Sequence, residues 1–218
     1  MQTLSEENYL KAIYRLSQQG DKKITPTAVA EQLNNNPASV IDMIKKLTDK
    51  QLISYDKRKG INLTKKGADV ATLVVRKHRL WEVFLLDKLG YRWDEIHDIA
   101  EELEHISDDT LADRLDKFLG FPEYDPHGDP IPKANGKMPE SYTLTLSAAP
   151  VGTVCRVAAV RDTSAEFLRY LHKLNISIGT VLEVKEKISF DDSIILGINN
   201  ENETAVSSKF GENILIRI

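Results

Sequence analysis

The spacing of the apolar residues changes character late in this chain, and that change limits the folds open to it. Before about residue 120, apart from the short stretch "LISYDKRKGINL", they recur three and four apart, which gives a helix one apolar stripe. From about Val151 they fall in short runs: "TVCRVAAV", "TVLEVKEKI", "SIILGI", "TAVS" and "NILIRI", with one helical stretch, "SAEFLRYLHKL", after the first. Five short strands in residues 150–218 predict a small, partly closed β-barrel, and hence a mostly α protein with a C-terminal β domain. Between the two regimes, residues 121–141 hold five prolines (122, 126, 130, 132 and 139) and predict a long ordered loop.

The helical part opens on a capping pattern. Thr3 and Glu6 precede Tyr9, Leu10, Ile13, Tyr14 and Leu16 at helical spacing, predicting a helix from Leu4 to about Gln19, ended by Gly20 and Asp21. Thr25-Pro26 and Asn36-Pro37 each put a capping side chain before a proline at the first helical position. They open "PTAVAEQL" and "PASVIDMIKKLTDK", the second burying Val40, Ile44 and Leu47 on one stripe. "LISYDKRKGINL" then reads as two short strands around a turn ending in Gly60. This order is the plan of a winged helix-turn-helix, predicted over residues 1–73. On duplex DNA the second helix of such a pair enters the major groove with its first residues at the base edges. Here those are Asn35, Asn36, Pro37, Ala38, Ser39 and Asp42, with Thr27 on the helix before. Lys45, Lys46, Lys57, Arg58 and Lys59 are placed to meet phosphates. A winged helix can also dock a protein; the basic wing favours DNA.

Charge divides along the same line. Residues 1–79 carry 15 Lys and Arg against 8 Asp and Glu, net +7, and residues 80–218 carry 14 against 25, net −11. A basic front suits a polyanion and an acidic back suits cations. The single cysteine, Cys155, excludes an intrachain disulfide framework or a cysteine-built zinc site. No apolar run approaches the ~18 residues of a membrane helix, and the N-terminus lacks a signal-peptide layout, so a cytoplasmic protein is expected.

A second helical region is predicted over residues 74–141. Thr64 starts a long helix closed by Gly90, Asp94 caps a helix over 95–106, and Ser107 caps "DDTLADRLDKFLG". Within "EIHDIAEELEH" stand His97, Glu101, Glu104 and His105, with no lysine or arginine to pair the carboxylates. On one helix these four share an arc of about 100°, at the edge of the stripe formed by Ile96, Ile99, Ala100, Leu103 and Ile106. His78 and Glu82, four apart, share a face of the preceding helix. Crowded carboxylates at a core edge need a cation or protons, and imidazole with carboxylate is a ligand set for divalent transition metals. The alternative is a solvated face with hydrogen-bonded histidines. His127 reads as a loop histidine and His172 as a surface one.

A winged helix followed by "RKHRLWE", "HDIAEELEH", "DPHGDPIP" and a small β domain resembles the diphtheria toxin repressor and manganese transport regulator family, over nearly the whole chain. The resemblance implies a helical dimerisation and metal-binding domain and an SH3-like (FeoA-like) β domain. It implies a primary metal site at Asn8, Glu101, Glu104 and His105. It implies an ancillary site at His78, Glu82 and His97, with Glu166 and Asp162 from the β domain. Asp125 matches a position that donates to the primary site in some members. Two residues depart from the family pattern: Asn8 replaces an aspartate or methionine, and Lys11 stands where the two-domain manganese regulators carry a second glutamate. Glutamate at 101 in place of cysteine hardens the primary site and favours Mn²⁺ or Fe²⁺.

The implied function is a metal-activated repressor, binding an inverted-repeat DNA operator as a homodimer, with two metal sites per chain, no membrane and no small organic substrate. Without metal the first helix is expected to be loosely held; a bound ion would tie Asn8 to the 95–106 helix. Leu80, Val83, Phe84, Leu111 and Leu115 are either dimer surface or intrachain core. Two rivals remain: a metalloenzyme, against which stands the lack of H-E-x-x-H, phosphate-loop or Ser-His-Asp motifs, and a metal-binding adaptor or chaperone without DNA binding.

Overall fold

The Thr3 hydroxyl accepts the Glu6 N–H and the Glu6 carboxylate accepts the Thr3 N–H, so α1 (Leu4–Ser17) begins on a reciprocal cap. A computed structural model describes residues 2–18, 20, 23–199 and 202–218. Gln19 and Asp21, where the sequence predicts the end of this helix, lie outside them. Thr25 caps α2 (Pro26–Gln32) and Asn36 caps α3 (Pro37–Asp49), each with proline next. Val40, Ile44 and Leu47 of α3 are buried with Leu10, Ile13, Val29, Leu52 and Ile61 in the core of the winged helix.

The wing is the antiparallel pair β1 (Ile53–Asp56) and β2 (Gly60–Leu63), in register from Ile53↔Leu63 to Asp56↔Gly60. Its tip is fixed by Asp56, whose Oδ1 accepts the N–H groups of Arg58 and Lys59 at 2.7 and 2.9 Å. Gly60 closes it at φ +85°, where a Cβ would stand 2.6 Å from the Ile24 carbonyl oxygen. Only glycine fits there.

Then come α4 (Lys65–Leu89), α5 (Ile96–Leu103) and α6 (Asp109–Phe118). α5 is shorter than predicted, so Glu104 and His105 lie in a turn past its end. Lys77 Nζ donates to the Ile106 carbonyl at 2.9 Å, satisfying an acceptor the helix leaves open. At the start of α6 it is Asp108, not Ser107, that accepts from the Thr110 N–H and hydroxyl.

The β domain is one five-stranded antiparallel sheet in the order β6-β5-β4-β3-β7, made by β3 (Val154–Val160), β4 (Val181–Lys187), β5 (Ile194–Ile198), β6 (Asn202–Val206) and β7 (Ile214–Arg217). Register shifts between Val157 and Ala159 and between Val184 and Glu186 curl it. α7 (Ala165–Lys173), capped by Ser164, and α8 (Ser208–Asn213), which the sequence reading omits, complete a core holding Leu146, Val157, Leu168, Leu171, Leu182, Leu196, Phe210 and Ile214.

Two compact units result. The first comprises Met1–His78, Glu101–Arg114 and Pro132–Lys137; the second comprises Arg79–Ala100, Leu115–Ile131 and Met138–Ile218. In the second, Leu80, Val83 and Leu115 pack with Ile131, which makes those three intrachain core, whereas Leu89, Phe118 and Phe121 are more than half exposed. Among the described residues no helix is long and apolar enough to cross a membrane.

Candidate metal centres and nucleic-acid interface

In the first unit the carboxylates of the 101–105 segment do have a basic partner, and it comes from α1. Lys11, 3% exposed, directs Nζ at Glu101 Oε1 (2.9 Å), Glu104 Oε2 (2.6 Å) and His78 Nδ1 (3.3 Å). His78 Nδ1 also lies 2.6 Å from Glu104 Oε2. The other Glu104 oxygen, Oε1, is buried without a hydrogen bond and faces His105 Nε2 at 3.5 Å. His105 Nδ1 lies 2.6 Å from Glu7 Oε2. A proton held on Nδ1 by Glu7 leaves the Nε2 lone pair directed at the Glu104 side, the way an outer carboxylate orients a metal-binding imidazole. Asn8 is half-buried beside Glu7 on α1. α1 is tied to 101–105 through Lys11 and Glu7, and to α3 through Glu6.

The second unit holds another cluster, around Glu82, which is 2% exposed. His97 Nδ1 stands 3.4 Å from its Oε1 and His127 Nδ1 stands 3.6 Å from its Oε2. Donor atoms of Glu82, Asp125 and His127, all three buried, lie within 4.8 Å of one another. The "DPHG" loop delivers two of them. Asp125 Oδ1 accepts the N–H groups of His127 and Asp129 at 2.8 and 3.0 Å, and Gly128 at φ +86° lies where any Cβ would overlap the Ala158 carbonyl. The loop is thereby pressed on β3, whose Val160 N–H donates to the His127 carbonyl at 2.9 Å.

His127 Nε2 lies 3.2 Å from the Trp93 carbonyl oxygen, an acceptor only, so Nε2 carries the proton and Nδ1 faces the carboxylates. Burial, then the charges of Glu82 and Asp129, push the Asp125 carboxyl up to about 7 against the pull of Arg79. Burial alone would lower His127, but the adjoining Glu82 and Asp125 carboxylates carry it up to about 9. A carboxyl that keeps its proton and an imidazole that gains one mark a pocket short of positive charge. These residues fit a divalent cation.

His127 joins a group of close donor atoms that sequence reasoning missed. The signal was present: Asp-Pro-His-Gly sets a carboxylate and an imidazole two residues apart on a glycine-tightened loop. Asp125 belongs to this cluster. Among the described residues, neither Asp162, which accepts the Ser164 N–H at 2.8 Å, nor Glu166, exposed in the first turn of α7, joins a group of three close donors.

On the winged helix, Thr27, Pro37, Ala38, Ser39, Asp42, Lys45, Arg58 and Lys59 are all exposed. Three predicted contacts have partners within the fold. Asn35 donates to the Tyr9 hydroxyl at 3.1 Å, Asn36 caps α3, and Lys46 pairs with Glu6 at 2.9 Å. Ile41, 46% exposed on the same face of α3, was not predicted and offers an apolar surface to a base methyl.

Residues 1–61 match the N-terminal DNA binding domain of iron dependent repressors, residues 64–133 their metal binding and dimerisation domain, and residues 144–218 the FeoA domain. A manganese-dependent transcriptional repressor solved in complex with manganese is 35% identical, covers 97% of this chain and 98% of its own, and superposes with a TM-score of 0.87. The chain belongs to the iron-dependent repressor family. Among curated relatives of the repressor, the diphtheria toxin repressor of Corynebacterium jeikeium (strain K411) is 29% identical over 84% of this chain and 76% of its own. The iron-dependent repressor IdeR of Mycobacterium leprae (strain TN) is 33% identical over 72% of this chain and 64% of its own. The repressor thus combines a DNA-binding winged helix, a dimerisation and metal-binding region and a FeoA-type β domain.

Proposed function

We propose that this repressor is activated by Mn²⁺ or Fe²⁺ held at two places in each chain, and that the loaded homodimer binds an inverted-repeat operator in the cytoplasm. The observation that carries this reading is the buried Glu82–Asp125–His127 cluster, whose donor atoms lie within 4.8 Å of one another with the imidazole oriented by the Trp93 carbonyl. Glu82, Asp125 and His127 would hold one ion, with His97 at the edge. Glu104, through Oε1, and His105, through Nε2, would form the core of the other, with Glu7 and Asn8 of α1 beside them.

A bound divalent ion would add positive charge beside carboxylates that Lys11 in the first unit and Arg79 in the second already face. The rest is done by side chains. Asp125 gives up its proton, His127 gives up its Nδ1 proton while Nε2 stays on the Trp93 carbonyl, and Glu7 holds His105 turned toward Glu104. α1 links the first-unit site to the recognition helix, because Glu6 pairs with Lys46 and Lys50 of α3 two residues from Asn8. Pro37, Ala38, Ser39, Ile41 and Asp42 would read base edges, while Thr27, Lys45, Arg58 and Lys59 would meet phosphates. The work inferred for both clusters is binding, in keeping with a family of transcriptional repressors.

The test is fluorescence anisotropy on promoter fragments under anaerobic conditions with Mn²⁺, Fe²⁺ or chelator. Retention with either metal and release by chelator are expected. Equal retention in chelator would overturn the reading. Glu104→Gln, which keeps the shape of the buried side chain, should weaken the metal response of an otherwise folded protein.

A further inference from the structure

We propose that Lys11 is the built-in cation of the His78–Glu101–Glu104 triad: its ammonium takes the position a divalent ion would otherwise occupy there. The proposal rests on the reading of this family member as a metal-loaded repressor, but its test reads a difference that does not depend on how many ions the wild type holds.

Three observations meet at one atom. First, donor atoms of His78, Glu101 and Glu104 lie within 4.8 Å of one another, a separation that suits a shared ion. Second, the same three residues are the partners of Lys11 Nζ, at 3.3, 2.9 and 2.6 Å. Two of the ammonium's N–H donors meet carboxylate oxygens, while His78 Nδ1, which donates to the same Glu104 Oε2 at 2.6 Å, completes the cluster beside it. Third, the lysine side chain is 4% exposed and that of Glu104 is fully buried, so the pair has exchanged water for each other. A charge buried this deeply is tolerated only when paired and hydrogen-bonded.

Glu104 divides the space. Its Oε2 serves Lys11 and His78, whereas Oε1 has no hydrogen bond and faces His105 Nε2. An ion on the Oε1 side leaves the lysine in place. An ion within the triad would share its oxygens with an ammonium already at hydrogen-bond distance, and like charges that close repel. Lys11 therefore closes one cation position while leaving its neighbour open, and it holds α1 against residues 101–104.

The experiment compares the full-length wild type with Lys11→Gln and Lys11→Glu by equilibrium dialysis against Mn²⁺, and follows melting temperature with and without Mn²⁺. Both variants are expected to bind one more Mn²⁺ per chain than the wild type, Lys11→Glu more tightly because it adds a carboxylate. Their metal-free forms should melt lower and recover further with Mn²⁺ than the wild type does. A lysine that merely braces the fold would lower the melting temperature without changing the ion count, and that result overturns the proposal. Should Lys11→Glu fold only when Mn²⁺ is present, Lys11→Gln supplies the count; an unchanged count there is equally decisive. If the wild type binds no Mn²⁺ at all yet Lys11→Gln binds one, the metal-activation reading fails while the role of Lys11 stands.

Discussion

The carboxylate of Glu6 lies 2.6 Å from the ammonium of Lys50, joining the first turn of α1 to the residue that closes α3. Lys46 adds a second contact at 2.9 Å, and the glutamate side chain is fully buried. Burial works to raise this carboxyl, but hydrogen bonds from Lys50, Lys46 and the Thr3 N–H hold it down at about 2 against a reference of 4.5. A depressed acid stabilises the fold above its unfolded pKa, and that contribution is lost as pH falls from 4.5 through 2. Glu6→Gln should therefore cost about 1–2 kcal/mol at pH 7, discounted for the partly exposed lysines, and should flatten the acid limb of stability. Urea unfolding of both proteins at pH 7 and pH 4 checks this; equal midpoints at pH 7 would remove Glu6 as a link between α1 and α3.

The winged helix was legible because its determinants are local. Caps such as Thr25-Pro26 and Asn36-Pro37, the stripe Val40–Ile44–Leu47 and the glycine at 60 each act within a few residues. The segment proposed to bear metal, residues 95–106, was legible only in composition. Its lack of basic residues was read as unbalanced charge, yet Lys11 supplies the balance from 90 positions away, a distance no helical wheel spans. His127 was missed for a related reason: its place in the proposed site comes from Glu82 and the Trp93 carbonyl, neither of them near it in sequence. Helix ends were the least legible part, since α5 stops at Leu103 where the 3.6-residue pattern itself runs on to Ile106.

Metal uptake at Glu82, Asp125 and His127 should release protons. At pH 7 His127, raised to about 9, carries an extra proton, and Asp125, raised to about 7, is half protonated. Both protons must leave before the groups ligate, so Mn²⁺ affinity at this site should climb as pH rises from 6 to 8. Calorimetric titration in buffers of different ionisation enthalpy should show more than one proton released per ion at pH 7. His127→Ala should abolish that release together with one bound Mn²⁺ per chain. An affinity independent of pH would mean that these groups are not the ligands.

The apolar side chains left exposed on the second unit point to the dimer contact. Phe118 is 65% exposed, Phe121 63% and Leu89 56%, while Phe84 touches Phe118 at 6.2 Å between ring centroids. Large apolar side chains left exposed on a domain that carries the family's dimerisation region are candidates for the association surface. Phe118→Lys should shift the dimer toward monomer and weaken operator binding at least tenfold, without lowering Mn²⁺ content. Sedimentation at micromolar concentration, with and without metal, is the check, and a variant that stays fully dimeric would move the interface elsewhere.

The wing and the recognition helix should fail in different ways. Arg58 and Lys59 project from a tip that Asp56 fixes through their backbone N–H groups, so their side chains are free to follow a phosphate backbone. Replacing either with alanine should weaken binding to every sequence alike and lower the slope of log affinity against log salt by about 0.9. Ile41 is different: an exposed aliphatic chain contributes no counterion release but can pack on a thymine methyl. Ile41→Ala should leave the salt slope unchanged and cost about 1 kcal/mol on the operator alone, narrowing the gap to random DNA. Anisotropy titrations at four salt concentrations on operator and random duplexes separate the two effects. If Ile41→Ala weakens both duplexes equally, α3 does not read sequence through that side chain.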